Sequence, residues 1–560
     1  MHITPQTSQP LGPEAVPDGR GRNLWRTDPA FARLLPLYLP PDLLAVLLPR
    51  LDRLGALAGG PLDELAAAAD RNPPVLRPRT RRGEDVQSID YHPAYREMER
   101  LAFEEFGLAA MSHRAGVFGW PEKLPPAAKY ALTFLFVQAE FGLMCPVSMT
   151  DSLARTLSRF GEKSLVERYL PLLASQDMDA LYQGAMFMTE QGAGSDVAAT
   201  AVSAVPNADG TYALWGDKWF CSNADAELAM VLARIGGAPA GLPGVSLFLL
   251  ARTLPDGTPN AFRIVRLKDK LGTKSMASGE VRLEGATAWL IGEPGAGFRQ
   301  MADMVNNSRL SNGVRAAGMM RRAVSEALFV ARNRVAFGKR LIELPLMRRQ
   351  LAKMLIRAEQ ARSFVFQTAD ALRRSDAGEP DAARLLRIAT PLLKFRACRD
   401  ARMVAGDAME VRGGCGYIEE WPEPKLLRDS HLGSIWEGTS NIVALDVLRA
   451  ARREGGFAAL SGHIRNQQAE APLENCLALL DRAHALLDRA QSDPALARGA
   501  ASALYHVFAA STMNWEAART GDPHRAALAR MVLRHRVMPK DPLAVDDPDA
   551  ASLLEMLEGV

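Results

Sequence analysis

The segment Met188-Thr189-Glu190-Gln191-Gly192-Ala193-Gly194-Ser195-Asp196 stands where helical sequence gives way to short strands. Before it, from about Asp42 to Tyr182, long runs rich in Ala, Leu, Arg and Glu predict helices. From Gly184 to about Leu290, a range that includes this segment, short apolar runs bounded by Gly, Pro, Asn and Asp predict antiparallel strands. Beyond Gly297 the helical pattern returns, in segments each long enough for a bundle helix: residues 301–332, 345–374 and 382–410.

Helical and strand-like sequence is segregated along the chain, which predicts an α+β multidomain protein and not a doubly wound α/β fold. The expected parts are an extended N-terminal arm (1–40), an N-terminal helical domain (41–184), a central antiparallel β domain (185–290), a C-terminal helical bundle (291–448) and an extra C-terminal helical domain with an acidic tail (449–560). Prolines near the start of the chain predict the arm. The segment 72–83, with its prolines and arginines, is predicted to be a loop.

The composition is that of a soluble globular protein, with 560 residues of which 48% are apolar and 23% charged. The 67 Lys and Arg residues nearly balance the 64 Asp and Glu, so the net charge of +3 argues against a surface that binds polyanions throughout. The five cysteines have no metal-ligand or disulfide spacing, so we expect no metal site and a reducing, cytoplasmic location. No apolar run has the length of a membrane-spanning helix. Neither a GxGxxG turn after a strand nor a P-loop motif occurs.

The segment 188–196 has features that suit a flat ligand. Gly192 and Gly194 allow the backbone to approach such a ligand closely. Thr189 and Ser195 supply hydroxyls that can bond ring heteroatoms or an acyl carrier. A tight loop with capping residues explains the same pattern equally well.

Two further motifs join aromatic side chains to polar ones. The run Trp219-Phe220-Cys221-Ser222-Asn223 offers two rings and a hydroxyl to an aromatic cofactor, or two rings to the core of the β domain. In Arg334-Val335-Ala336-Phe337-Gly338-Lys339-Arg340, a cation three residues before an aromatic can pair with a phosphate while the ring stacks on a base. A basic helix end that complements the helix dipole is the simpler interpretation of this second motif.

A glycine-rich turn and a lone carboxylate follow later in the chain. In Glu410-Val411-Arg412-Gly413-Gly414-Cys415-Gly416-Tyr417 the glycines break a helix where something must approach closely. In Ser434-Ile435-Trp436-Glu437-Gly438-Thr439-Ser440-Asn441-Ile442 one carboxylate lies between two apolar residues and a flexible glycine. Such a carboxylate can act as a general base, although a capping Glu on an exposed turn fits the same letters.

Together the five motifs resemble, in their order and spacing, the acyl-CoA dehydrogenase flavoproteins, over about Tyr91 to Arg449. Further segments are similar to the AidB subgroup of that family, whose bacterial members are linked to the adaptive response to DNA alkylation. These segments are 72–74, 83–86, 92–95, 145–150 and 268–272. The resemblance implies an acyl-CoA dehydrogenase-like fold, FAD as the cofactor, and α,β-dehydrogenation of an acyl-CoA thioester.

By this resemblance, FAD is held non-covalently between the β domain and the C-terminal bundle. Arg334 and Phe337 match residues that hold the cofactor from a neighbouring subunit, which implies a homotetramer built as a pair of dimers. The implied cofactor contacts are Met188, Thr189, Gly194, Ser195, Phe220, Cys221, Ser222, Arg334, Phe337, Gly413, Gly414, Trp436, Thr439 and Asn441.

Glu437 matches the catalytic base of the family, which takes the α-proton while a hydride leaves the β-carbon for the flavin. Ser195 and Arg309 match substrate contacts. The stretch that carries the base in some members has no carboxylate here. Two residues depart from the family pattern, because Glu410 stands where Gln is usual and Asn306 replaces an Asp near CoA. The resemblance assigns no electron acceptor.

The subgroup implies an alternative function, a flavoprotein that binds duplex DNA in the alkylation response and has weak or secondary dehydrogenase activity. A cationic stretch in the C-terminal appendix offers Arg525, Arg530, Arg534 and Arg536 to the phosphate backbone. Residues 451–560 nevertheless carry 12 Lys and Arg against 14 Asp and Glu, and six of these acids follow the cationic stretch. A solvated helix face is the other interpretation of these arginines.

Overall fold

Helices make up most of the N-terminal part of the chain. The computed structural model describes residues 16–539, 541, 543, 549 and 553–558. The N-terminal helices are α1 (Pro29–Leu34), α2 (Pro41–Ala58), α3 (Pro61–Arg71), α4 (Pro93–Glu99), α5 (Pro126–Phe136), α6 (Met144–Phe160) and α7 (Lys163–Leu173). Across the described residues, nine helices begin with proline. Proline suits this position because its missing N–H would have no partner in the first turn.

The predicted extended arm is wrong for residues 16–40, which pack against the helical domains. Phe31 is fully buried, with its ring centroid 4.9 Å from that of Phe134. Asp28 accepts a hydrogen bond from the Phe31 N–H at the start of α1 and pairs with the buried Arg362 at 2.7 Å. The arm was predicted from Pro5, Pro10, Pro13 and Pro17, and the first three of these lie outside the described residues.

A β-hairpin stands where the sequence predicted a loop. Its strands are β1 (Val75–Arg79) and β2 (Asp85–Asp90), which pair antiparallel. Both strands are mostly exposed, so they lack the alternation of apolar residues that marks a strand in sequence. Cross-strand ion pairs support the hairpin instead, because Arg77 lies 2.7 Å from Asp90 and Arg79 lies 3.1 Å from Asp85.

The central domain is a seven-stranded sheet. Its strands are β3 (Gly184–Phe187), β4 (Ser203–Pro206), β5 (Tyr212–Ser222), β6 (Leu228–Ile235), β7 (Val245–Ala251), β8 (Phe262–Leu267) and β9 (Ser278–Ile291). Their hydrogen-bonded order is β3-β6-β4-β5-β9-β7, with β8 on β9, and a β6–β7 pairing closes the sheet into a ring. The pairings are antiparallel, as predicted, except for β3–β6 and β4–β6.

Strand β7 is shared between two hydrophobic cores. Leu247 and Leu249 pack with the helical domains, whereas Phe248 and Leu250 belong to the core of the β domain. Successive side chains of a strand point to opposite faces. Both faces of β7 are therefore buried, which explains why all of its residues except Ser246 are apolar and fixes the β domain against the helices.

The C-terminal part of the chain is helical again, which confirms the α+β architecture predicted from the sequence. It comprises α8 (Gly297–Asn333), the short strands β10 (Val335–Ala336) and β11 (Lys339–Arg340), α9 (Pro345–Asp376), α10 (Pro380–Arg412), α11 (Pro422–Gly433), α12 (Ser440–Arg453), α13 (Gly456–Glu470), α14 (Cys476–Ser492), α15 (Ala497–Thr520), α16 (Pro523–Val532) and α17 (Leu553–Glu558). Helix α12 runs across the boundary drawn at residue 448, so the bundle and the appendix share a helix.

Candidate active site

A buried ion pair ties down the loop at residues 188–196. The Glu190 carboxylate accepts from Lys218 Nζ at 2.6 Å and from the Ala201 N–H at 2.7 Å. Lys218 lies on β5 and also donates to two backbone carbonyl oxygens. The sequence did not single out this pair, because only the folded sheet brings the two residues together.

The glycine segment of this loop borders open space. A Cβ built on Gly192 or Gly194 would meet no atom within 4 Å. The Thr189 carbonyl oxygen accepts from the Trp219 N–H at 2.8 Å, which joins the loop to β5. Met188 and Thr189 are partly buried, whereas Gly194 and Ser195 are exposed. The loop is therefore fixed at Glu190 and exposes Gly192, Gly194 and Ser195.

Strand β5 exposes one ring and buries the next side chain. Phe220 is exposed, whereas Cys221 is fully buried in the core of the β domain, where burial raises the pKa of its thiol. The prediction that Cys221 contacts the cofactor is therefore wrong for its side chain, because alternate residues of a strand face opposite sides. Ser222 is partly buried, with its Oγ 3.3 Å from that of Ser278.

The basic motif and the glycine-rich turn lie side by side. Phe337, at the turn between β10 and β11, has a φ of 53° and is 91% exposed. Arg334 Nη1 donates to the Arg412 carbonyl oxygen at 3.1 Å, where α10 ends in the turn Gly413–Tyr417. Gly414 in that turn borders open space. These two predicted groups of residues thus form one surface.

Glu437 lies between α11 and α12 in a left-handed backbone conformation, with a φ of 55°. This conformation is costly for a residue that has a Cβ. Arg309 Nε on α8 donates to the Glu437 carbonyl oxygen at 3.0 Å, and Lys394 Nζ on α10 donates to the Gly438 carbonyl oxygen. Arg309 is fixed in turn by Asp446 at 2.8 Å. A buried lysine and a partly buried arginine therefore hold the strained loop.

The Glu437 side chain is 5% exposed, and its two oxygens have different surroundings. Ser308 Oγ donates to Oε1, and Arg315 Nη2 lies 4.0 Å from the same oxygen. Oε2 is buried and has no hydrogen-bond partner among the described residues. One oxygen is thus held in place while the other is free to accept a proton.

Aromatic rings cover this carboxylate. The Trp436 ring stacks on that of Phe141, with the centroids 5.9 Å apart. The Arg315 guanidinium lies 4.7 Å from the Trp436 centroid and 5.4 Å from that of Phe141, within the range of cation–π contacts. Phe141 precedes α6, so the N-terminal helical domain takes part in closing the site.

Burial shifts the pKa of several groups around Glu437. It lowers the pKa of Lys394 to about 8, although the Glu437 carboxylate acts against this shift. It raises the pKa of the Cys145 and Cys398 thiols to about 11, so both thiols stay neutral at physiological pH. The pocket therefore holds one carboxylate beside the cations Arg315 and Lys394.

Four residues of this pocket were not predicted from the sequence: Phe141, Ser308, Arg315 and Lys394. Ser308 and Arg315 stand seven residues apart on α8 and therefore share a helix face. Two polar residues at that spacing in this helix were the sequence signal that could have indicated a buried polar site. Their partner Glu437 is 129 residues from Ser308 in sequence, so the pattern along α8 alone could not identify it.

The remaining predicted contacts lie around the same loop. Thr439 and Asn441 are exposed at the start of α12, and the Thr439 side chain makes no capping hydrogen bond. Glu410 is exposed near the end of α10. Asn306 Oδ1 accepts from Arg309 Nη1 at 3.3 Å, so this unusual residue supports the arginine that holds the loop.

The prediction of a DNA contact is wrong for Arg525. Its side chain is buried between α9 and the appendix, 2.8 Å from Glu359 and 2.7 Å from Glu516. It also donates to Ser363 Oγ. A buried arginine paired in this way is part of the packing between domains and cannot reach a phosphate backbone.

The other three candidate DNA contacts differ in their exposure and in their ion pairs. Arg536 is partly buried and pairs with Asp400 at 3.5 Å, and Arg534 pairs with Asp549. Arg530 alone among the four candidates is exposed. The sequence spacing of these arginines did not reveal which of them point into the protein.

Two general properties bear on the kind of site. Among the described residues, no helix is long and apolar enough to cross a membrane. In the same part of the chain, no three His, Cys, Asp or Glu side chains form a group that could hold a metal ion. The five cysteines are free thiols, and four of them are buried.

Known protein families match the N-terminal helical domain, the β domain and the C-terminal bundle, all of which contribute residues to the site. Family models match at residues 14–180 (adaptive response protein AidB N-terminal domain), 185–286 (acyl-CoA dehydrogenase, middle domain) and 295–451 (acyl-CoA dehydrogenase, C-terminal domain). The putative acyl-CoA dehydrogenase AidB of Escherichia coli (strain K12) is 36% identical over 411 residues, 70% of this chain and 72% of the relative. The chain belongs to the acyl-CoA dehydrogenase family. It is thus an oxidoreductase of a family whose members depend on FAD, as the motifs implied.

This acyl-CoA dehydrogenase family member has further relatives in animals. Acyl-CoA dehydrogenase family member 11 of Caenorhabditis elegans is 34% identical over 437 residues, 76% of this chain and 70% of the relative. The solved structure of Caenorhabditis elegans ACDH-11 in complex with C11-CoA superimposes with a TM-score of 0.87 at 28% identity, over 96% of this chain and 95% of that one. The helical appendix is therefore part of the shared architecture.

Proposed function

We propose that this enzyme carries out FAD-dependent α,β-dehydrogenation of an acyl-CoA thioester, with Glu437 as the base. The observation that carries the proposal is the Glu437 carboxylate, which is nearly buried, held at Oε1 by Ser308 and left without a donor at Oε2. A general base needs this combination of a fixed position and a free oxygen. The strained backbone at Glu437 fits a functional loop, because such strain concentrates at active sites.

The residues around the site suit a flavin. Phe220 offers an exposed ring, and the backbone at Gly194 borders open space. Arg334, beside Gly413, is exposed and can pair with the pyrophosphate of an FAD that a neighbouring subunit binds. FAD bound there would supply the acceptor for the β-hydride. The other proposed contacts are Met188, Thr189, Ser195, Ser222, Phe337, Gly414, Trp436, Thr439, Asn441 and the backbone of Cys221.

Proton transfer in this proposal depends on three residues. Glu437 Oε2 takes the α-proton while Ser308 keeps the other carboxylate oxygen in place. The peptide N–H of Glu437 donates to none of the described residues and can stabilise the enolate oxygen that develops. Arg309 binds the Glu437 carbonyl oxygen and thereby orients the backbone that carries the base. We propose that Arg309 influences the substrate partly in this way, by positioning Glu437. We further propose that Ser195 contacts the acyl-CoA.

We propose a homotetramer in which Arg334 and Phe337 contribute to the cofactor site of a neighbouring subunit. Large side chains on the surface beside these residues support an interface. Phe337, Leu346 and Tyr417 are each more than three-quarters exposed, and exposed groups of such residues often mark protein contacts. The free thiols agree with a cytoplasmic location, which we also propose.

Anaerobic titration with acyl-CoA esters of graded chain length tests the proposed activity. The purified FAD-loaded protein is mixed with each thioester, and the visible absorption of the oxidised flavin is followed. We expect bleaching with at least one ester and formation of the 2-enoyl product. Absence of bleaching with every ester, from a protein that retains FAD, would refute the proposal.

A further inference from the structure

Arg315 is a fully buried arginine whose two terminal nitrogens have no hydrogen-bond partner among the described residues. Its Nε donates at 3.4 Å to the Ser311 carbonyl oxygen, one turn earlier on α8. Buried polar groups are almost always hydrogen-bonded, because an unpaired one loses its interaction with water without replacement. For a charged group that cost is larger still. The free donors of Arg315 therefore point to an acceptor that binds there.

None of the neighbours of Arg315 supplies a charged acceptor within hydrogen-bond distance. In the part of the chain that the structure describes, Glu437 is the one carboxylate within 4 Å, and its Oε1 is 4.0 Å away, beyond hydrogen-bond distance, and already accepts from Ser308. The Cys145 thiol contacts Arg315, but sulfur is a weak acceptor, and the thiol stays neutral because burial raises its pKa to about 11. The rings of Phe141 and Trp436 contact only the guanidinium face.

We propose that Arg315 binds a carboxylate at the far end of the acyl group, so that the preferred substrates are short dicarboxylic acyl-CoA thioesters. The inference rests on the proposed function, because it takes Glu437 as the base that meets the α-carbon. A guanidinium donates two parallel hydrogen bonds to a carboxylate, which matches the two free nitrogens. A hydrocarbon acyl chain would leave the charge buried without a partner.

Geometry limits the length of the acyl group. Glu437 must lie about 3–3.5 Å from the α-carbon to take its proton, and Arg315 Nη2 is 4.0 Å from Glu437 Oε1. A carboxylate about 2.8 Å from Arg315 is then only a few carbon atoms beyond the α-carbon. Succinyl-CoA and glutaryl-CoA are therefore the appropriate probes, with hexanoyl-CoA as an apolar chain of similar length.

Calorimetric titration of the FAD-loaded protein with glutaryl-CoA and with hexanoyl-CoA tests the inference. We expect wild type to bind glutaryl-CoA about 10- to 100-fold more tightly, and Arg315→Met to lose this preference while it binds hexanoyl-CoA no less tightly. Arg315→Lys keeps the charge but not the paired donors, so it should retain part of the preference. Arg282→Met, which removes an exposed ion pair with Asp217 in the β domain, is the control and should bind as wild type does.

Two results would overturn the inference. One is equal binding of the two esters by wild type. The other is an equal loss of both in Arg315→Met at an unchanged melting temperature, because Arg315 would then act through Glu437 and not on the ligand. A failure of the proposed function has a different signature, in which an Arg315-dependent preference in binding persists while no thioester bleaches the flavin.

Discussion

Two clusters of buried charge in this protein are built in different ways. Where α9 meets the N-terminal segment and the appendix, three arginines face three carboxylates: Arg321, Arg362 and Arg525 with Asp28, Glu359 and Glu516. Each of these arginines has a carboxylate oxygen within 3.0 Å. Around Glu437, by contrast, Arg315 lies 4.0 Å from the carboxylate, and Lys394 donates to a backbone carbonyl oxygen.

The contrast separates a structural cluster from a functional one. A buried charge costs free energy unless an opposite charge close by compensates for it, and the junction at α9 provides such a charge for each arginine. Single atoms of that junction, among them Arg321 Nε and Glu359 Oε1, also have no hydrogen-bond partner among the described residues, so the difference between the clusters lies in the distance between opposite charges. The Glu437 pocket leaves a carboxylate oxygen and two guanidinium nitrogens unsatisfied, so it holds its charges ready for something that is not protein. Charges that are closely paired thus join the domains, and charges without a close partner lie at the proposed active site.

The largest expected effect is that of Glu437→Gln. Since it removes the proposed base and keeps the shape of the side chain, we expect turnover of the best acyl-CoA to fall about 10²- to 10⁴-fold. Flavin content should stay the same. Stopped-flow measurement of flavin reduction checks this, with Glu284→Gln on the exposed face of the β domain as the control. Flavin reduction at the wild-type rate in Glu437→Gln would contradict the assignment.

Substitutions in the charge cluster at α9 should lower the stability of the protein and leave its activity unchanged. Arg525→Met leaves Glu359 and Glu516 without the cation that they share. We therefore expect the free energy of unfolding of the appendix to fall by about 3–5 kcal/mol. The measurement is the unfolding midpoint together with the rate of proteolysis in the appendix.

The control for Arg525 is Arg519→Met on the same helical domain. Arg519 is exposed and lies 2.7 Å from Glu470, and such a surface pair contributes at most about 1 kcal/mol. If the two substitutions shift the unfolding midpoint equally, the distinction between the charge cluster at α9 and ordinary surface pairs is lost.

The Glu190–Lys218 pair is a matched pair that serves the site, so it should affect cofactor affinity. Lys218→Met leaves the Glu190 carboxylate buried without its cation and loosens the loop that borders the proposed flavin position. We expect the dissociation constant for FAD to rise about 10-fold, a change within the usual cost of an unpaired buried group. Fluorescence titration of the apoprotein with FAD measures it, and Lys163→Met on an exposed helix should leave it unchanged. Wild-type affinity in Lys218→Met would show that the pair does not support the site.

The last predicted effect is a pH dependence of stability that comes from Lys394. Burial lowers its pKa to about 8 in the folded protein from an ordinary value of 10.5, so the unfolded chain binds more protons between these two values. The free energy of unfolding of wild type should therefore rise relative to Lys394→Met as the pH increases from 8 to 10.5. Below pH 8 the difference should be constant. Denaturant midpoints at a series of pH values check this, and a difference that stays flat above pH 8 would contradict the burial of a charged lysine beside Glu437.

The fold was largely predictable because its signals are local. Helical periodicity located α8, α9 and α10 to within a few residues, and short apolar runs located the β domain. The N-terminal segment was mispredicted because the partners that bury Phe31 and Asp28, namely Phe134 and Arg362, are far away in sequence. The exposed hairpin at residues 75–90 was missed because ion pairs and not apolar alternation support it.

The candidate site was predictable only where one motif contains the whole feature. Glu437 could be named because its motif surrounds it, and the structure then placed Ser308 and Arg309 of α8 against it. Arg315 and Lys394 could not be assigned to the site, because a helical sequence does not show which distant loop its buried polar residues will face. The same limitation led to Arg525 being taken for a surface residue.

Solvent-deuterium exchange at the α-carbon of a bound acyl-CoA tests the role of Glu437 most directly. The FAD-loaded wild type and Glu437→Gln are incubated anaerobically in D₂O with a thioester that binds, and the recovered ester is analysed by mass spectrometry. We predict α-deuteration with wild type and none with Glu437→Gln at equal flavin content. Equal deuteration by both proteins would show that another group removes the α-proton.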